Sequence, residues 1–118
     1  MKTNLRKTGA FGEELAERFL KKQKYKIIEK NYHSSRLAEI DIIARDGKHL
    51  AFVEVKLRYS TSFGRGLEAV TKQKQRAIRY AATHYLAKNK LDVPCRFDVL
   101  EILILGDTPE FTLIKDAF

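Results

Sequence analysis

A chain of 118 residues, 44% of them apolar and with only six Gly and two Pro, can bury one modest core but not two, and its composition is neither disordered nor fibrous. Its net charge of +8 favours polyanionic partners, of which nucleic acid is the commonest. A single cysteine, Cys95, no apolar N-terminal run and no apolar stretch of membrane-spanning length exclude an internal disulfide, a multi-cysteine metal site, a secretory signal and a membrane helix, so the expected setting is reducing and cytoplasmic.

Thr8 is placed to cap a first helix running to about Gln23, in which Phe11, Leu15, Phe19 and Leu20 recur at helical spacing. Lys21, Lys22, Lys24 and Lys26 crowd its end, where a helix C-terminus favours cations. Three strands are expected next, over Tyr25–Asn31, Leu37–Arg45 and Lys48–Arg58, the last two joined by Asp46-Gly47 as a two-residue hairpin turn. Residues Tyr59–Gly66 read as a partly basic loop. A second helix follows from near Thr71 to Asn89, with Ile78, Ala81, Ala82, Tyr85 and Leu86 on its apolar side and Lys72, Lys74, Arg76 and Arg79 on the other. A strand at Arg96–Leu105, a turn at Gly106–Pro109 and a strand at Glu110–Lys115 complete the order α-β-β-β-α-β-β. That order predicts one α/β domain over residues 1–118, a mixed sheet flanked by helices.

Charge is unevenly spread. Residues 1–36 carry net +6, 37–55 net −2, 56–90 net +8 and 91–118 net −4, so an acidic island sits between two basic blocks. The island is the hairpin. With Asp46 and Gly47 as turn residues, Ile40 is expected to face Val53, Ile42 to face Ala51, Glu39 to face Glu54, and Asp41 to lie opposite Phe52. Alternation then gathers Glu39, Asp41, Glu54 and Lys56 on one face and Ile40, Ile42, Val53, Val55 and Leu57 on the other.

Like charges directly opposite each other destabilise a strand pair. Asp41 and Glu54, as diagonal neighbours roughly 7–8 Å apart, can lean inward and share a divalent cation, and oxygen donors suit Mg²⁺ or Mn²⁺. Lys56 stands two residues beyond Glu54 to orient a water or to neutralise charge at an attacked phosphate. An isolated Glu-x-Lys is ordinarily a solvated strand face. Phe-Val-Glu-Val-Lys set after Glu-Ile-Asp-Ile-Ile in a hairpin is more specific.

Ile40-Asp41 followed by Glu54-Val55-Lys56 resembles the PD-(D/E)xK signature of restriction, repair and junction-resolving nucleases. Across nearly the whole chain the similarity is to the YraN-like bacterial family of predicted endonucleases. It is carried by Gly9-x-x-Gly12-Glu13-x-x-Ala16, Ala38-Glu39-Ile40-Asp41-Ile42-Ile43, Phe52–Lys56 with Arg58, Phe63-Gly64, Lys74-Gln75-Arg76, Arg96–Val99 and Asp116-Ala117-Phe118. Ala38 stands where that family usually has Gly.

The resemblance implies a restriction-endonuclease-like core and divalent-metal-dependent cleavage of nucleic acid. DNA is the first expectation, branched DNA by analogy with archaeal Holliday-junction resolvases. It implies that Asp41, Glu54 and the Val55 carbonyl hold the metal, that Lys56 is catalytic, and that Glu13 joins the metal site from the first helix. Glu13 is equally explained as an acidic residue of a helix first turn. Lys72, Lys74 and Arg76 are open between phosphate contact and a solvated helix face, and Arg58 between phosphate contact and an exposed strand-end charge. A non-catalytic nucleic-acid-binding module and a partner-dependent subunit are the alternative functions, and the resolvase analogy suggests a homodimer. His33, His49 and His84 lack metal-ligand spacing, Ser60-Thr61-Ser62 lacks a base, and Gly64-x-Gly66 lacks the rest of a phosphate-loop fingerprint.

Overall fold

The computed structural model describes residues 9–59 and 70–118. In chain order they form α1 (Gly9–Lys22), β1 (Lys26–Ser35), β2 (Ala38–Asp46), β3 (His49–Arg58), α2 (Lys72–Lys88), β4 (Cys95–Leu105) and β5 (Thr108–Ile114). The expected order of elements holds. Thr8 and the loop residues 60–66, with Phe63-Gly64 among them, lie outside the described residues.

The five strands form one sheet in the order β1-β2-β3-β4-β5. The β1–β2, β2–β3 and β4–β5 pairs are antiparallel, and β3–β4 is parallel. A parallel pair needs a crossover, and the segment carrying α2 supplies it. The sheet is covered on both faces. On one, Ala16 and Leu20 of α1 pack on Ile42, Ala44, Ala51, Val53, Leu100 and Ile102. On the other, Ile78, Ala81, Ala82 and Tyr85 of α2 pack on Ile40, Ile43, Leu50 and Phe52. Double coverage explains why β3 and β4 hold continuous runs of buried residues.

β1 runs four residues beyond its expected end. Its only buried residue is Tyr32, and its register slips twice, so this edge strand has no apolar alternation to announce it. Helix α1 closes with Lys24 in the left-handed region (φ 74°), the Lys24 N–H on the Lys21 carbonyl and the Tyr25 N–H on the Leu20 carbonyl. That closure turns Tyr25 into the core, where its hydroxyl donates to the buried Asp98 carboxylate at 2.7 Å.

The hairpin register differs from the expected one. Asp46 pairs with His49 and Ile42 with Val53, so the turn residues are Gly47 and Lys48, and every pairing expected from an Asp46-Gly47 turn moves by two residues. Gly47 takes the positive φ of 63° as first turn residue, a position that favours glycine. Asp46 stays in the strand because its carboxylate is held by Arg96 Nη2 at 2.8 Å and Lys115 Nζ at 3.0 Å. Arg96 also grips Asp98 through Nε and Nη2, both at 2.9 Å.

Candidate functional site

The β2–β3 ladder ends at Ile42–Val53. The next pair in that register is Asp41 and Glu54, and there the strands part. The Val55 N–H donates to Asp41 Oδ2 at 2.8 Å. Alternation breaks at the same point: Ile40 packs with Ile43 and Phe52 on the α2 face, while Ile42 packs on the α1 face. The expected ribbon face of Glu39, Asp41, Glu54 and Lys56 is therefore corrected. Glu39 stands across from His33 of β1. Val55 and Leu57 do lie with Val53 on the α1 side, as expected.

Asp41 lines a cleft of about 150 Å³ with Gly12, Glu13, Val55 and Leu57. Gly12 lets the helix approach the strand this closely, since a Cβ there would lie 3.3 Å from Leu57 Cδ2. Glu13 is half-buried and accepts from Asn31 Nδ2 at 3.2 Å. The first turn of α1 holds no acidic residue, so Glu13 sits one turn too far in for the first-turn explanation and faces the cleft instead.

Glu54 is 5% exposed, and its Oε2 lies 3.6 Å from Lys74 Nζ on α2. Burial, then the negative charge of Asp41, push the Glu54 carboxyl up to about 7, against the pull of Lys74 and Lys56. Asp41 is raised as well, by burial first, although the Val55 N–H opposes it. Two carboxylates, Glu54 buried and Asp41 half-buried, share one site and resist ionising together. Such a pair either holds a proton at neutral pH or takes up a cation.

The donor set suits a hard divalent ion. Mg²⁺ is commonly held through one or two carboxylates, with water and substrate phosphate completing its shell. Asp41 and Glu54 supply the carboxylates, and the cleft beside Asp41 has room for several waters. Among the described residues, no three His, Cys, Asp or Glu side chains converge into a closed cage.

The other expected residues separate into two groups. Lys56, half-buried, and Lys74 act on Glu54 directly. Lys72 and Arg76 are exposed on α2. Arg58 is neither a free phosphate contact nor an exposed charge: it is 14% exposed, and its Nε lies 3.2 Å from Oε2 of the buried Glu101. Glu101 went unsuspected in the sequence because a lone Glu within Val99–Leu105 shows no partner until the parallel register aligns β3 with β4.

Among the described residues, no helix is long and apolar enough to cross a membrane. Residues 12–102 match the uncharacterised protein family UPF0102. A UPF0102 protein of Acetivibrio thermocellus is 46% identical over 99% of this chain and 95% of its own length. One from Geobacter metallireducens is 48% identical over 93% of this chain and 90% of its own length, and one from Clostridium perfringens is 45% identical over 100% and 98%.

Proposed function

The chain belongs to the uncharacterised protein family UPF0102, and we propose that its site is that of a divalent-metal-dependent nuclease of the PD-(D/E)xK kind, acting on DNA. The observation that carries this reading is the meeting of half-buried Asp41 and buried Glu54 at the point where β2 and β3 part, with Lys56 and Lys74 bearing on Glu54.

In this reading Asp41, Glu54 and the Val55 carbonyl would hold Mg²⁺ or Mn²⁺, with Glu13 of α1 facing Asp41 across the cleft. When bound, the ion polarises the phosphoryl group and lowers the pKa of a coordinated water. Glu54 must first lose its proton, since only the carboxylate is a ligand. Lys74, released from Glu54, turns to the substrate phosphate. Lys56 orients the attacking water and offsets the charge that develops on the phosphoryl oxygens. Lys72 and Arg76 hold the backbone electrostatically, without reading sequence.

The test is cleavage of labelled single-stranded DNA, duplex, flap, four-way junction and RNA with Mn²⁺ or Mg²⁺, an EDTA control, and Glu54→Gln in parallel. Metal-dependent cutting that disappears in the variant is the expected result. Folded, metal-supplied protein that cuts nothing overturns the reading.

The Lys74–Glu54 ion pair favours one competing reading, a nucleic-acid-binding module whose lysine already occupies the cation's place. That reading requires no Mn²⁺ uptake at pH 8 and unchanged or tighter DNA binding in Glu54→Gln. Isothermal titration of the metal-free chain with Mn²⁺ separates the two.

A further inference from the structure

We propose that Leu37 is a wedge that steers the site to breaks in base stacking, an inference that rests on the nuclease reading above. Leu37 is 87% exposed, the most exposed of the large apolar side chains among the described residues. It sits between Ser35, the last residue of β1, and Ala38, the first of β2, where polar or glycine turn residues are the norm. At that exposure it contributes nothing to the core. The exposed Arg36 precedes it.

The position relative to the carboxylates gives the leucine a use. Leu37 lines an open cleft of about 400 Å³ with Thr71, Gln73, Lys74 and Ala77. Lys74 also reaches Glu54, so the same lysine borders the leucine's cleft and pairs with a carboxylate of the site. Along β2, Leu37 lies four residues from Asp41, about 13 Å of extended chain, the length of about four stacked bases along a strand.

An aliphatic side chain pushed between bases partly unstacks them, which is costly in continuous duplex. At a branch, flap or nick the stack is already interrupted and that cost is smaller. Arg36, next to the leucine in the chain, and Lys74, in the wall of the cleft, supply the positive charge that holds the neighbouring phosphates. The occupant of the cleft is then an unstacked base of a strand whose scissile phosphate lies at Asp41 and Glu54.

The test uses the full chain carrying Glu54→Gln, so that DNA is not cut, with and without Leu37→Ser. Binding is read by anisotropy and unstacking by 2-aminopurine emission, the probe base placed beside a three-way branch or inside continuous duplex. With Leu37 present, emission rises on the branched DNA, which binds roughly tenfold tighter than duplex. Leu37→Ser loses the rise and most of that preference while its salt dependence stays the same, and Leu37→Phe retains both. An equal rise and preference in Leu37→Ser overturns the wedge and leaves the nuclease reading standing. So does tight binding without any rise. Failure of the Leu37 form to bind any nucleic acid overturns the nuclease reading and the wedge with it.

Discussion

Replacing Glu54 by Gln separates a site kept for function from one kept for stability. The Glu54 carboxyl moves from an ordinary 4.5 to about 7 in the folded chain, chiefly by burial and then by the charge of Asp41. A raised folded pKa means that the folded state holds this proton more tightly than the unfolded state. The contribution is complete below pH 4.5, shrinks as pH rises and is lost by about pH 7. At pH 8 the ionised, metal-free site therefore costs up to about 3 kcal/mol. Glutamine has nearly the same shape and no charge. In EDTA at pH 8, Glu54→Gln should be more stable than wild type by about 1–3 kcal/mol, with the two converging near pH 4.5. Urea unfolding followed by circular dichroism at both pH values measures this. Adding Mn²⁺ at pH 8 should stabilise wild type and leave the variant unchanged, since only a ligand that binds the folded state shifts the equilibrium. A variant destabilised equally at both pH values would refute the reasoning and make Glu54 a structural carboxylate.

The Mn²⁺ affinity of wild type should rise with pH up to about 7 and then level off, as Glu54 gives up its proton; titration calorimetry from pH 5.5 to 8.5 checks the profile. Lys74→Ala removes an ion-pair partner of Glu54 and should move that rise to higher pH; an unmoved profile would mean that Lys74 does not act on the site. Lys72→Ala with Arg76→Ala should weaken DNA binding without changing the fold and reduce the salt slope by about 2; an unchanged slope would put the phosphate path elsewhere. Arg96→Met should cost about 3–5 kcal/mol in urea unfolding, because it removes the cation that Asp98 and Asp46 share; a loss under 1 kcal/mol would show that the pair is idle.

The helices were the most legible part of the chain. The apolar side of α2 read from the sequence, Ile78, Ala81, Ala82 and Tyr85, is the buried side. On α1, Leu20 is buried and Phe11, Leu15 and Phe19 are half-buried against the same cluster. Their periodicity is local and suffices. The hairpin register was not legible, because Asp-Gly and Gly-Lys are both acceptable turns and the choice between them is made by Arg96 and Lys115, fifty and sixty-nine residues beyond Asp46. The fate of Arg58 was hidden for the same reason, since its partner Glu101 lies on a strand reached only after the α2 crossover.

That long-range choice bears on the candidate site itself. In the register expected from the sequence, Asp41 would oppose Phe52 and Glu39 would oppose Glu54. In the observed one, the pairing of Asp46 with His49 carries Asp41 level with Glu54, at the step where the ladder stops. The Val55 N–H, released from the ladder, then holds the Asp41 carboxylate. A structural clip at one end of β2, made of Tyr25, Arg96, Asp98 and Lys115 around Asp46, thus sets which two carboxylates meet at the other end. The Arg96–Asp98 part of the chain, which by itself suggests no chemistry, acts on the site through strand register. Helix α1 adds a second constraint, because the close approach of Gly12 to Leu57 fixes how near Glu13 comes to Asp41. Contacts distant in sequence, the clip around Asp46 and the packing of α1, therefore set the place of two carboxylates that repel each other.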